Sequence, residues 1–136
     1  MMARACLCLI IIISGLALRR FGLGLGIPAP VVKYGGSVLW GTMVFFLVAV
    51  ATPRFRGLRI ASVAAVIAVA VELFRLVHTP WLDEFRLTLA GALLLGRIFS
   101  PWNILAYGAG IGLGLVLDLL AARSISENYS MIRKSV

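Results

Sequence analysis

Charge is scarce in this chain. Only 13% of its 136 residues are charged, five are acidic, and there is one histidine. Soluble domains carry about 25% charged and about 45–50% apolar residues. Here 62% are hydrophobic and the mean hydropathy is +1.06. A core of this size could not hide so much apolar surface from water, so lipid is the expected solvent. Cysteine is nearly absent too. Cys6 and Cys8 stand two apart inside the first apolar run, which is neither a disulfide framework nor a zinc pattern. Both read as small lipid-facing hydrophobes. His78 has no second His or Cys at ligand spacing, so no metal is expected, and nothing calls for a cofactor. Ser37 has no base beside it, which excludes a hydrolase triad. The formal charge is +8, but the basic residues fall in short groups at the ends of apolar runs, as in membrane loops. No basic stripe interleaves with aromatics, so no nucleic-acid partner is expected.

Long apolar runs are abundant. A spanning helix needs about 20 such residues, within a range of about 17–25. The first candidate, "ACLCLIIIISGLAL", follows Arg4 and runs into Arg19 and Arg20. It resembles a signal-peptide core, but no small-x-small cleavage site follows and the arginines occupy that region. Arginine side chains snorkel to the interface at helix ends, so a retained first helix over about 5–20 is expected. "FGLGLGIPAP" reads as a loop. A second helix is expected over 34–52, stopped by Pro53, and a third over 57–78, after the basic turn "PRFRGLR" and closed by Thr79-Pro80. The apolar segment 86–99 is too short to span. Ser100-Pro101 looks like a helix start, opening a fourth helix over 102–122. The expected architecture is an all-α integral membrane protein. It is a four-transmembrane-helix bundle forming one domain over 1–122, with a short re-entrant or interfacial helix between helices 3 and 4. A polar, basic tail over 123–136 follows.

Alternating helix directions would gather the polar residues at one membrane face. The third helix ends with Glu72, Arg75 and His78; the fourth begins with Asn103 and Tyr107; the second begins with Lys33, Tyr34 and Ser37; the first ends at Arg19 and Arg20. Asp83 and Arg86 follow Pro80 on the same side. Glu72 and Arg75, three apart, share a helix face and can pair. Glu72 lies about 9 Å of helix rise from His78, inside the apolar zone, where ionisable groups are costly and by default functional. Trp81 and Trp102 suit an aromatic belt. Asp118 is the exception, expected to face headgroups at the opposite end near Arg123. The basic residues divide almost evenly between the two faces, with Arg4, Arg54, Arg56, Arg59, Arg123, Arg133 and Lys134 on the side of the termini. The tight basic turn and the basic tail favour cytoplasmic termini.

The fourth helix also carries Gly108, Gly110, Gly112 and Gly114. The pairs Gly108/Gly112 and Gly110/Gly114 are small-xxx-small spacings that let helix backbones approach closely in lipid. Packing within the chain is the favoured use, and contact between chains the alternative.

"KYGGSVLWGTMVF" and "VELFRLVHTPWLDEFRLTLAGALLLGRIFSPWNILAYGAGIGLG" together resemble a bacterial membrane-protein family, domain of unknown function 2809, over roughly residues 19–120. Pro80-Trp81-Leu82-Asp83 with Arg86 is the most specific part. The positions that match are Lys33, Tyr34, Trp40, Glu72, Pro80, Trp81, Asp83, Arg86, Gly91, Gly96, Tyr107 and Gly110. Three depart: Ser37 and Asn103 stand where the resemblance implies Asp, and Arg75 where it implies Gln. A more distant likeness is to VanZ-like proteins. The resemblance implies a bacterial inner-membrane location and no defined activity.

Three functions are compatible with these residues. One is binding of an anionic group, such as a lipid phosphate, at the outer face, since Arg suits phosphate by bidentate hydrogen bonding. Another is a non-catalytic subunit or assembly factor held to a membrane-protein partner, or to a second copy, through the glycine face. The third is an intramembrane enzyme using Glu72 or Asp83 as base, weakened by the lost carboxylates and the lack of a nucleophile or metal set.

Overall fold

The computed structural model describes residues 2–95 and 99–134, with side chains up to residue 124 except those of 89 and 93. Its elements are α1 (Met2–Phe21), α2 (Ala29–Ala51), α3 (Leu58–Phe74), α4 (Pro80–Leu87), α5 (Leu89–Leu94) and α6 (Pro101–Lys134). No strand occurs among the described residues, so the chain is all-helical there. Three helices are long and apolar enough to cross a membrane: α1, α2 and the Pro101–Ser124 part of α6.

Several boundaries differ from the sequence reading, each for a local reason. α2 starts at Ala29 rather than 34, because Pro30 sits in its first turn, where its fixed φ and missing N–H cost nothing. α3 stops at Phe74, with 75–76 in a turn. Thr79 before Pro80 is extended, at φ −138° and ψ 147°, as the proline ring demands of its predecessor. The stretch after Pro80 is the helix α4, with the proline at its start and Asp83 in its first turn. α6 does not end at 122. "RSISENYSMIRK" contains neither Gly nor Pro, and the helix continues through it to Lys134. Gly57, at φ +50°, makes the turn into α3, in a region that L side chains rarely adopt.

α2 is the central helix. It packs against α1, α3 and α6, and it buries residues all around its circumference, Phe45 and Phe46 completely. In lipid no hydrophobic effect draws helices together; close packing and interhelical hydrogen bonds do. The α2–α6 seam supplies both. A Cβ on Gly110 would run into the Val38 carbonyl, and one on Gly41 would lie 2.6 Å from the Tyr107 oxygen. Thr42 Oγ1 donates across this contact to the Gly110 carbonyl at 2.8 Å. Gly114 lies against the Phe45 ring.

Within the chain the two glycine pairs differ. Gly110 and Gly114 are buried and face α2, whereas Gly108 and Gly112 are exposed and a Cβ on either would meet nothing within 4 Å. Residues 110 and 114 lie about 200° around the helix from 108 and 112, taking about 100° per residue, so one face can meet α2 while the other turns away. Cys8 also departs from expectation. It is buried between α1 and the core, while Cys6 is exposed.

Candidate functional site

The antiparallel arrangement brings the end of α3, the start of α6 and the first half of α2 together. Glu72, on the last turn of α3, is fully buried. Its Oε1 accepts from the Ser100 backbone N–H at 2.7 Å and from Asn103 Nδ2 at 3.1 Å. Its Oε2 accepts from the Tyr107 hydroxyl at 2.9 Å and lies 2.7 Å from Arg75 Nη1. Asn103 and Tyr107, four apart, share the α6 face that receives Glu72. The carboxylate also sits at the start of α6, where the helix dipole favours negative charge. Ser37 of α2 donates to Asn103 Oδ1 at 3.3 Å, and the Trp40 ring lies 4.7 Å from that of Tyr107. The carboxylate thus ties α3 to α6, and α2 joins the network through Asn103 and Tyr107.

Arg75 is 7% exposed. Besides Glu72 it bonds to the Leu95 carbonyl at the end of α5, and its guanidinium lies 5.9 Å from the Tyr107 ring centre. Arg86 is 2% exposed. From α4 it donates to the Phe74 carbonyl at 2.7 Å and the Val77 carbonyl at 2.8 Å, and it pairs with Asp83 at 3.0 Å. These carbonyls belong to the terminus of α3 and the turn after it, so Arg86 caps a helix that Pro80 prevents from continuing. The bend from α4 to α5 is equally tight. A Cβ on Gly91 would collide with the Phe85 carbonyl, and the Thr88 side chain accepts from the Gly91 N–H at 3.1 Å.

The predicted site residues thus fall into three groups. Glu72, Arg75, Asn103 and Tyr107 form one buried network. Arg86, Asp83 and His78 form an adjoining group, with His78 exposed and its Nδ1 3.2 Å from Asp83. Lys33, Tyr34 and Trp81 are not drawn in. The Lys33 ammonium lies over the Tyr34 ring at 5.1 Å, and Trp81 and Trp102 are exposed, as belt residues would be. Gly96 and Arg97 lie outside the described residues. The Ser100 contact was not readable from side-chain chemistry, since its backbone donates. Thr42 and Gly41 were missed, although Ser37 and Gly41 repeat the four-residue small spacing seen on α6.

Asp118 differs most from its predicted surroundings. It is 9% exposed and pairs with Arg4, 114 residues away, through two bonds of 2.7 and 2.8 Å. It fastens α1 to α6 at the end of the bundle opposite Glu72.

An ionised carboxylate offers about four lone-pair sites, and four donors approach the fully buried Glu72. Among the described residues no group of His, Cys, Asp and Glu could hold a metal ion.

A comparison with known families matches residues 27–111 to the family described as Protein of unknown function (DUF2809). The chain belongs to this family. The match covers α2 through α5 and the first turns of α6, and so contains every residue of the Glu72 network. No solved structure matches the chain. Within this DUF2809 domain, Ser37, Arg75 and Asn103, the three positions that depart from the pattern resembled above, all lie in the Glu72 network. In that pattern two further carboxylates would stand beside Glu72. Here they are amide and hydroxyl, and an arginine neutralises the one that remains.

Proposed function

We propose that this chain is a four-pass inner-membrane protein with cytoplasmic termini, acting as a non-catalytic subunit or assembly factor. Its polar network is then a clasp rather than a reaction centre. The saturation of Glu72 carries this reading. A buried carboxylate with four donors holds helices in register, and with no free lone pair and no solvent path it abstracts no proton.

The four-pass topology draws on α3. Its 17 residues rise about 25 Å at about 1.5 Å per residue, against about 30 Å of hydrocarbon, and the turn that follows adds to this. α4 is best read as interfacial rather than re-entrant. It carries Asp83 and Glu84 beside exposed Trp81, Phe85 and Leu87, the composition of a helix lying in the headgroup plane. An anion site at this face would need available guanidinium N–H groups. Those of Arg75 and Arg86 are buried and directed at Glu72, Asp83 and main-chain carbonyls.

Purification in mild detergent with protein and lipid mass spectrometry tests this reading. A membrane protein should co-purify in near-stoichiometric amount. Recovery of the chain alone, with an anionic lipid that disappears in Arg75→Ala, would place the anion site at this face instead.

A further inference from the structure

The opposite end of the bundle has the openness that the Glu72 end lacks. A cleft of about 530 Å³ lies between the start of α1, the α2–α3 turn and α6, lined by Arg4, Pro53, Arg56, Gly57, Asp118 and Leu119. A recess of about 160 Å³ adjoins it and shares Arg4 and Asp118. Asp118 holds Arg4 through Nε and Nη2, while Nη1 makes only a 3.4 Å contact with the Ala49 carbonyl. Arg4 is thus held in place by Asp118 while lining both the cleft and the recess. Arg56 is exposed on the turn, as is Arg54, and Arg59 is exposed in the first turn of α3; none of these three has an ion-pair partner among the described residues. Among the residues whose side chains are described, this end supplies one carboxylate, Asp118.

The geometry points to a phosphate-binding site in this cleft, formed by Arg4 and Arg56 and positioned by Asp118. Guanidinium groups bind phosphate oxygens through paired, charge-assisted hydrogen bonds. The cleft has room for a headgroup as well as a phosphate. Leu119, on its wall, is 51% exposed, and Leu120 beside it is 52% exposed, giving acyl chains an apolar surface below the phosphate. A lipid supplies both parts of such a ligand; a free phosphate ion supplies only the first. The inference does not depend on the role proposed for Glu72.

Lipid-free protein in detergent would be titrated with phosphatidylglycerol, with phosphatidylcholine and with inorganic phosphate, reading thermal stability and, by native mass spectrometry, retained lipid. Phosphatidylglycerol should be retained and should raise Tm more than phosphatidylcholine does. Arg56→Gln should lower its retention about tenfold, the weight of one hydrogen bond to a charged group. Arg56 is exposed, so the variant should fold. Arg20→Gln makes the same charge change at the other end and should leave retention unaltered. A Tm rise with inorganic phosphate that Arg56→Gln abolishes would assign the site to a free phosphoanion. Equal retention of both lipids, equal loss in the two arginine variants, or no response to any of the three additions would overturn the site.

Discussion

The two ends of this bundle handle arginine in opposite ways. At the Glu72 end, Arg75 and Arg86 are buried and turned inward, onto a carboxylate and onto the carbonyls of Phe74, Val77 and Leu95. At the Asp118 end Arg4 is paired, and Arg54, Arg56 and Arg59 are exposed in the tight turn and the first turn of α3. Counted along the sequence the two sides are nearly equal in basic residues. Counted by what remains exposed among the described residues they stay close, with Arg19, Arg20 and Lys33 at the Glu72 end and Arg54, Arg56, Arg59 and Arg123 at the other. Charge that is paired and buried contributes little to an external field, whereas charge on an open turn contributes nearly all of its own. The two ends differ instead in how deeply arginine is drawn inward, Arg75 and Arg86 at one end against Arg4 at the other.

Breaking the closed end should have the largest effect. Glu72→Ala leaves Arg75 buried without its carboxylate, and loss of one partner of a buried pair costs about 3–5 kcal/mol. The double change Glu72→Ala/Arg75→Ala should recover part of that loss, read as Tm in detergent. If the double variant is the less stable, Glu72 and Arg75 act separately and the clasp is not a unit.

Much of this end was legible beforehand. Alternating helix directions placed Glu72, Asn103, Tyr107 and Ser37 at one face, and the three-residue spacing paired Glu72 with Arg75. Three things were not legible. Backbone groups carry no sequence signature, so neither the Ser100 N–H nor the carbonyls capped by Arg86 could be assigned. A contact between residues 4 and 118 depends on how α1 lies against α6, which no local pattern encodes. And the four glycines of α6 look alike in sequence, although only the pair facing α2 is used.

That last point gives the next test, in the seam that joins the two ends. Gly110→Ile should separate α2 from α6 and cost about 1–3 kcal/mol or more, as overpacking does, while Gly112→Ile should stay within about 0.5 kcal/mol of the parent, as exposed substitutions do. Equal losses in thermal unfolding would mean that the outward glycines also pack. A smaller effect than that of Glu72→Ala is expected at the open end. Replacing the largely buried pair by Arg4→Gln/Asp118→Asn removes both charges together and leaves neither unpaired, so it should cost less than the roughly 3–5 kcal/mol of breaking one partner. A larger loss would make that end as structural as the other.

The spacing of Glu72 from its donors bears on how the chain is made. Arg75 emerges three residues after Glu72, but the donors at Ser100, Asn103 and Tyr107 follow 28, 31 and 35 residues later. At a synthesis rate of roughly 5–20 residues per second, the glutamate waits about 2–7 s for its last partner. During that interval one arginine alone offsets its charge, and α3 is a short helix carrying an incompletely satisfied acid. Its settled place therefore dates from the arrival of α6, which makes that helix the step that closes the Glu72 network.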